Sequence, residues 1–291
     1  MHILVLGKGG QLGWEARRTL ACLGEVTALD FPEVDFTRPE SLKSLVLGLR
    51  PEIIYNAAAY TAVDKAEVET EKARLVNATA PGALAEAARQ VRALLVHVST
   101  DYVFDGTKGT AYTELDVPRP VNAYGLTKLE GETAVQEAGD ACIILRTAWV
   151  YSRRAESFVG KVLSWARSQK TIKVVSDQIG SPTWARLLAE ASAGMLGQGR
   201  RDIYEWGKTN AGLYHLAGDG AVSRYDWART ILAFDPQHDE QVCEEIIPAL
   251  SAEFPTPAQR PLATALDSSK FFNTFGLRLG DWRQGLKLTL E

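Results

Sequence analysis

The stretch that decides the fold is ILVLGKGGQLG, residues 3–13 of the 291-residue chain. Its apolar run predicts a buried strand, and the amphipathic residues after it predict a helix. Glycines at 7, 10 and 13 permit a tight turn, a close backbone approach to a pyrophosphate and close helix–strand packing. The helix amino terminus would offer free N–H groups to phosphates. A glycine triplet also occurs in turns that bind nothing, but its place between Gly7 and Gly13, after a strand and opening a helix, favours a dinucleotide site.

Short apolar runs and longer amphipathic stretches alternate through the first half of the chain. We predict strands at 3–7, 25–30, 52–58, 93–100 and 141–151, and helices at 12–24, 41–50, 70–91 and 123–139. The second half is less regular, with predicted helices near 156–169, 183–197 and 223–234 and a strand at 213–218. Continuous apolar strands separated by helices are typical of a parallel sheet covered on both faces.

The expected fold is therefore α/β: a Rossmann-type doubly wound parallel sheet with a smaller carboxy-terminal α/β substrate domain. We place the dinucleotide-binding domain at 1–151, with later returns to the sheet near 183–218. Residues 152–291 would form most of the substrate-binding domain, interleaved with those returns.

Asp30 ends the second predicted strand, near the position where a carboxylate bonds the ribose hydroxyls of a dinucleotide. Such a carboxylate would repel a 2′-phosphate, and no arginine follows it. Lys8 is the one nearby cation that could compensate. An Asp in this place can also cap a turn, so the choice between NADH and NADPH stays open.

The chemistry is indicated by STDYVFDG (99–106) and AYGLTKLEGE (123–132). The first begins at a strand end, where ligands of parallel sheets bind. Tyr124 and Lys128 are spaced i and i+4, on one face of the following helix. Carbonyl reduction needs a hydride, a proton donor and a hydrogen bond to the oxygen that gains charge. We assign the proton to Tyr124, the hydrogen bond to Thr100, and the lowering of the phenol pKa to the ammonium of Lys128.

Composition excludes several other classes of protein. A net charge of −4 gives no basic field for nucleic acid, and no run of about 18 apolar residues predicts a membrane span. The amino terminus has no signal-peptide pattern. Three scattered cysteines fit neither a disulfide framework nor a zinc cluster. We therefore expect a cytoplasmic protein.

Longer motifs make the chain similar to the extended short-chain dehydrogenase/reductases, and within them to the dTDP-4-dehydrorhamnose reductase family. The matching stretches span nearly the whole chain: GKGGQLG (7–13), NAAAYTAVDKAE (56–67), STDYVFDG (99–106), YGLTKLEGE (124–132), RTAWVY (146–151), SDQIGSPT (176–183) and RPLATALDSSK (260–270). The resemblance implies reduction of a dTDP-4-keto-6-deoxyhexose at C4 with NADPH or NADH.

The resemblance also assigns further site residues. The cofactor would be lined by the loop and the ends of the next strands, namely Gly7, Gly10, Gln11, Leu12, Gly13, Asp30, Asp35, Phe36, Ala59, Tyr60, Thr61, Tyr124 and Lys128. Thr100, Asp101 and Trp149 would meet the sugar; a Trp at that position can also be a core residue. The family often has His in place of Tyr60.

Some relatives form a dimer through magnesium held by glutamates. Glu15 and Glu190 match two of those positions, and Glu291 is a candidate for the third. The resemblance thus implies a homodimer with magnesium, although surface glutamates usually bind nothing.

Three other functions are compatible with parts of the pattern. The chain resembles the regulatory subunit of methionine adenosyltransferase, a dinucleotide-binding module, but Thr100, Tyr124 and Lys128 are all present and favour an enzyme. Dehydratases of the superfamily carry an Asp-Glu pair after the Thr, whereas Asp101 is followed here by Tyr102. A reductase of another dTDP-4-keto-6-deoxysugar remains an alternative.

Overall fold

A computed structural model describes residues 1–154 and 157–291 and contains one six-stranded parallel sheet. The strand order is β2-β1-β3-β4-β5-β10, and every adjacent pair is parallel. The strands are β1 (His2–Leu6), β2 (Glu25–Leu29), β3 (Ile53–Asn56), β4 (Leu94–Thr100), β5 (Cys142–Thr147) and β10 (Gly212–His215). The order reverses at β1, which lies between β2 and β3. A crevice for ligands therefore opens beyond the carboxyl ends of β1 and β3.

Helices cover both faces of this sheet. One face packs against α1 (Gln11–Thr19), α8 (Ala185–Gly197), α9 (Ile203–Thr209) and α11 (Ser269–Phe275). The other packs against α2 (Pro39–Leu49), α5 (Ala80–Val91) and α6 (Ala123–Ala138). The short helices α3 (Val63–Ala66) and α4 (Thr70–Arg74) lead through a π-helical turn at Leu75–Thr79 into α5. The predicted Rossmann-type sheet is confirmed.

A separate apolar cluster stabilises a smaller α/β region. Its core includes the buried side chains of Tyr151, Trp227 and Trp282. The elements around it are β6 (Val150–Tyr151), α7 (Phe158–Ala166), β7 (Thr171–Val175), β8 (Ile179–Gly180), β9 (Thr183–Trp184), β11 (Val222–Ser223), α10 (Arg224–Ala233), β12 (Glu245–Ala249) and α12 (Trp282–Leu290). The chain returns to the main sheet through α8 and β10 and again through α11, and the division into two domains stays a prediction.

One predicted strand differs from the structure. The predicted strand 141–151 is interrupted, because Trp149 has a φ of 45°, in the left-handed region that extended strands cannot adopt. β5 therefore ends at Thr147 and β6 begins at Val150. The helix expected near 156–169 is observed as α7, with residue 156 outside the described residues.

Within residues 1–154 and 157–291, no helix combines the length and the apolarity needed to cross a membrane.

Candidate active site

A cavity of about 480 Å³ opens at the carboxyl edge of the sheet, beside the β1–β3 crevice. It brings together most of the residues predicted from the sequence. Its lining includes Gly7, Gly10, Gln11, Leu12, Asp30, Phe36, Ala59, Thr61, Thr100, Asp101, Tyr124, Lys128 and Trp149. Segments more than 100 residues apart in the chain therefore meet in one site.

Three predicted cofactor residues do not line this cavity. Gly13 is buried in α1, where a side chain would collide with the carbonyl oxygen of Gly7, so its role is close packing of the helix on the loop. The carboxylate of Asp35 accepts hydrogen bonds from the backbone N–H and the hydroxyl of Thr37. Tyr60 is held through its backbone N–H by Asn77, 2.8 Å away. Asp35 and Tyr60 therefore lie outside the lining of this cavity, and their contact with the cofactor stays a prediction.

The glycine loop has the conformation that a phosphate-binding turn requires. Gly7 has a φ of 85°, and a Cβ there would lie 2.8 Å from the backbone nitrogen of Ala58. Only glycine fits this turn without displacing the segment after β3. Helix α1 then begins at Gln11 with no side-chain cap, so its first N–H groups and its positive dipole end face the cavity.

Unpartnered polar atoms in the lining indicate that the cavity is built for a polar ligand. Gln11 Oε1 and Thr147 Oγ1 are buried, and neither has a hydrogen-bond partner among the described residues. Buried polar atoms rarely remain unpaired in a folded protein. A nicotinamide dinucleotide, with hydroxyls, an amide and phosphate oxygens, would supply partners for both atoms. The residues present therefore fit the expected cofactor.

The end of the cavity beside the glycine loop carries negative charge. Asp30 Oδ2 accepts a hydrogen bond from the Gly9 N–H at 2.9 Å, so the carboxylate also braces the loop. Lys8, the cation expected to offset Asp30, forms an ion pair with Glu33 instead. Its charge is therefore already shared with a second carboxylate.

Thr100 and Asp101 lie at the end of β4 and are almost fully buried. The Thr100 hydroxyl donates to Asp101 Oδ1 at 3.2 Å, and the hydroxyl of Thr264 donates to Asp101 Oδ2. Burial nevertheless raises the pKa of Asp101 from 3.8 to about 6, with the two threonine hydroxyls and Arg224 acting in the opposite direction. Near pH 6, this carboxyl group is therefore about half protonated.

Tyr124 faces Thr100 from the first turn of α6. Burial raises the pKa of its phenol well above the ordinary value of 10, an interaction with the Thr100 hydroxyl opposes that rise, and Asp101 adds to it. The phenol is therefore protonated at neutral pH. Lys128 Nζ donates to the Val98 carbonyl at 2.7 Å and lies 3.3 Å from His97 Nε2. Lys128 is not among the groups that shift the pKa of this phenol, so the lowering assigned to its ammonium stays a prediction.

A buried ion pair fixes α6 against the sheet. Arg146 binds Glu132 through two nitrogens, at 2.8 and 2.6 Å, and the Ser99 hydroxyl donates to the same carboxylate. These three side chains join β5, α6 and the end of β4 below the cavity. Lys128 itself is 1% exposed, and burial lowers its pKa to about 8 while Glu132 opposes that shift. The charge of Lys128 is therefore sensitive to small changes in its surroundings.

Trp149 occupies the side of the cavity that faces the smaller region. Its left-handed backbone is unusual for a bulky residue, and such strain is most common at functional sites. The backbone of Gly180 packs against the indole, so that a Cβ at Gly180 would collide with the ring. This glycine, like Thr264 and Thr147, was not identified from the sequence.

A second cavity, of about 730 Å³, contains both glutamates that the resemblance assigns to magnesium. Four guanidinium groups share its lining, those of Arg18, Arg153, Arg154 and Arg186. Glu190 is bound by Arg186 at 2.9 Å, and burial raises the pKa of Glu15. Among the described residues no group of three or more His, Cys, Asp or Glu side chains is placed to hold a metal. One chain alone therefore does not fit a magnesium site.

Comparisons with known proteins agree with this geometry. The RmlD substrate binding domain family matches residues 1–291. A dTDP-4-dehydrorhamnose reductase of Burkholderia thailandensis is 42% identical, with 100% of this chain and 98% of that protein covered. The solved dTDP-4-dehydrorhamnose reductase of Clostridium acetobutylicum has a TM-score of 0.90 at 34% identity, over 100% of this chain and 98% of that one. That of Bacillus anthracis, solved in complex with NADP, has a TM-score of 0.87 at 31% identity, over 99% and 98%. The resemblance drawn from the motifs is confirmed, and the chain belongs to the RmlD substrate binding domain family.

Proposed function

We propose that this chain reduces the C4 ketone of dTDP-4-dehydro-L-rhamnose to the alcohol of dTDP-L-rhamnose, using NADPH or NADH. The observation that carries the proposal is the convergence of Thr100, Tyr124 and Lys128 in the cavity that begins at the glycine loop. A phosphate-binding turn and a proton donor thus share one site, as a nicotinamide-dependent carbonyl reduction requires.

The chain's own residues account for the proton and for the charge on oxygen. The reduced cofactor, when bound, supplies the hydride that C4 receives. Tyr124 is protonated at neutral pH and can give its proton to the C4 oxygen as negative charge develops there. The Thr100 hydroxyl, which donates to Asp101 Oδ1 in this structure, would turn its proton to the same oxygen when substrate is bound. One hydride on carbon and one proton on oxygen convert the ketone to a secondary alcohol.

Lys128 has a positioning role in this scheme. Its ammonium is fixed by the Val98 carbonyl, and it lines the cavity, where its remaining N–H bonds can meet ribose hydroxyls of the cofactor. Asp30 would bond the adenosine ribose at the other end. Because Glu33 holds Lys8, a 2′-phosphate must compete for that lysine, whereas the ribose of NADH need not. Both cofactors therefore remain in the proposal.

The same geometry argues against elimination of water and against a purely regulatory module. Asp101 is followed by Tyr102, whose ring packs edge-on against Tyr124 at 5.7 Å, so the second carboxylate of a dehydratase is missing. A dinucleotide-binding subunit would not require Thr100, Tyr124 and Lys128 to converge. A reductase of another dTDP-4-keto-6-deoxysugar, with the opposite C4 configuration, is the nearest alternative.

The proposal is tested by following the absorbance of reduced nicotinamide. dTDP-4-dehydro-L-rhamnose, generated in place by the preceding dehydratase and epimerase, should be consumed with one reduced cofactor per sugar. dTDP-glucose should give no reaction with NADPH or with NAD⁺, because it has no ketone at C4. If no 4-keto sugar nucleotide causes cofactor oxidation, the reductase proposal fails and the regulatory module is favoured.

We also propose a homodimer that acts in the cytoplasm. The support for the dimer is the face around Glu15 and Glu190, where Trp14 and the half-exposed Leu288 lie beside four arginines. Light scattering on eluted protein should give twice the chain mass of 31.8 kDa, and a monomer would reject this assembly. Support for the compartment is that Cys22, Cys142 and Cys243 are unpaired.

A further inference from the structure

Arg224 lies beside the candidate active site, and its side chain has no polar partner in the described part of the chain. It is the first residue of α10, and its guanidinium carbon is 3.6 Å from the ring centroid of Trp149, which lines the cavity. Phe158 and Trp227 lie farther away, at 4.9 and 5.4 Å. Within residues 1–154 and 157–291, its side chain makes no hydrogen bond or salt bridge. An aromatic surface therefore positions this cation, and its N–H donors are unused.

The charges around Arg224 leave it largely uncompensated. Arg260, a cation that also acts on Arg224, is already paired with Asp64 Oδ2 at 2.8 Å and with the Ala258 carbonyl at 2.9 Å. Asp101 attracts Arg224, but both carboxylate oxygens of Asp101 accept hydrogen bonds from threonine hydroxyls. Burial lowers the pKa of Arg224 to about 10, so the group is still charged at neutral pH. A half-buried guanidinium that shares its charge with no carboxylate of its own is available to bind an anionic group of a ligand.

We propose that Arg224 binds the diphosphate of the sugar nucleotide, and this rests on the proposed function. A guanidinium stacked over an aromatic ring keeps its N–H bonds in its own plane, where they match two phosphate oxygens. Thr100 and Asp101 would hold the sugar, whose anomeric oxygen carries the diphosphate. Trp149 lies between this sugar region and Arg224, so one ligand can contact both. The cofactor phosphates have their own site at the glycine loop.

The test is calorimetric titration of dTDP, thymidine and NADPH into the wild-type chain and its variants. Arg224→Met removes the charge and keeps a long apolar stem against Trp149. Loss of charge-assisted hydrogen bonds should weaken dTDP binding roughly 10- to 100-fold. Thymidine and NADPH should bind as in wild type. Arg224→Lys should fall between the two, because an ammonium keeps the charge and loses the fork geometry.

A matched control is available on the same helix. Arg229 is 62% exposed and lies 3.8 Å from Asp226, so Arg229→Met removes an equal charge from α10 away from the cavity. It should leave dTDP affinity within twofold of wild type. Equal weakening by Arg229→Met and Arg224→Met would show a general charge effect and overturn the assignment.

The outcomes separate this inference from the proposed function. If the wild-type chain reduces a 4-keto sugar nucleotide and Arg224→Met binds dTDP as tightly as wild type, the arginine assignment is wrong and the reductase stands. If wild type does not bind dTDP, the nucleotide-sugar substrate and the arginine assignment both fail. If Arg224→Met does not fold, Arg224→Lys decides: unchanged dTDP affinity together with unchanged dependence on salt rejects the contact.

Discussion

Replacing Asp101 with Asn should change how the stability of the chain depends on pH. Asp101 is 2% exposed, and burial raises its pKa from 3.8 to about 6. The folded state therefore holds this proton more tightly than the unfolded state does. The stability associated with the protonated carboxyl is present below pH 3.8 and is lost as the pH rises to about 6. The whole shift corresponds to about 3 kcal/mol.

Asp101→Asn removes the titration while keeping an oxygen acceptor for Thr264. Urea unfolding of both proteins should be compared between pH 4.5 and 7.5. As the pH rises over that range, the free energy of unfolding of the variant should increase by about 2 kcal/mol relative to that of wild type. Imperfect hydrogen bonding by the amide would add only an offset that does not depend on pH. The gain should level off above pH 7, where the carboxyl of wild type is ionised in both states.

Asp105 is the matched control for this experiment. Hydrogen bonds from the Thr107 backbone N–H and the Tyr112 hydroxyl hold its pKa below the ordinary value. Asp105→Asn should therefore lose stability relative to wild type only as the pH rises towards about 4, and between pH 4.5 and 7.5 its difference from wild type should be nearly constant. If the difference between wild type and Asp101→Asn does not depend on pH, Asp101 is not a desolvated carboxylate and the electrostatic description of the site is wrong.

Three further predictions concern the parts of the site separately. Tyr124→Phe should lower turnover by about 10²-fold or more, with cofactor affinity retained, because it removes the proton donor; wild-type turnover in the folded variant would reject that role. Asp30→Asn removes a charge but keeps an acceptor for the Gly9 N–H. Fluorescence titration should therefore show that the affinity for NADPH rises relative to the affinity for NADH. An equal change in both affinities would mean that Asp30 only braces the loop. Gly180→Ala should displace the Trp149 ring and raise KM for the sugar nucleotide while NADPH affinity is unchanged; equal loss of both ligands would place Trp149 outside the sugar site.

The sequence was sufficient for the sheet, because its strands are short apolar runs and its loop needs three glycines. It could not locate the end of β5. The run ACIILRTAWVY has the composition of one strand, whereas Trp149 has a positive φ and its indole packs against Gly180, which is 31 positions later in the chain. Tertiary context decided that boundary.

The candidate site was predicted where its residues are close in sequence and missed where they are not. Thr100, Tyr124 and Lys128 follow from a strand end and an i,i+4 spacing. Thr264 and Arg224 come to the candidate active site from distant segments of the chain, and no local sequence pattern predicts them. The sequence also could not predict the direction of the Lys128 ammonium. Its partner is a backbone carbonyl, a group that every residue carries.

The most direct test of the central claim is the fate of the hydride. NADPH carrying deuterium at the transferred position of the nicotinamide should be incubated with dTDP-4-dehydro-L-rhamnose and the chain, and the product examined by NMR and mass spectrometry. Transfer from the cofactor predicts one deuterium per sugar, located at C4 of a product with the L-rhamno configuration. Deuterium at C4 of the opposite epimer would keep the reductase and reject the rhamnose assignment. A product without deuterium at C4, or no product at all, would contradict the account.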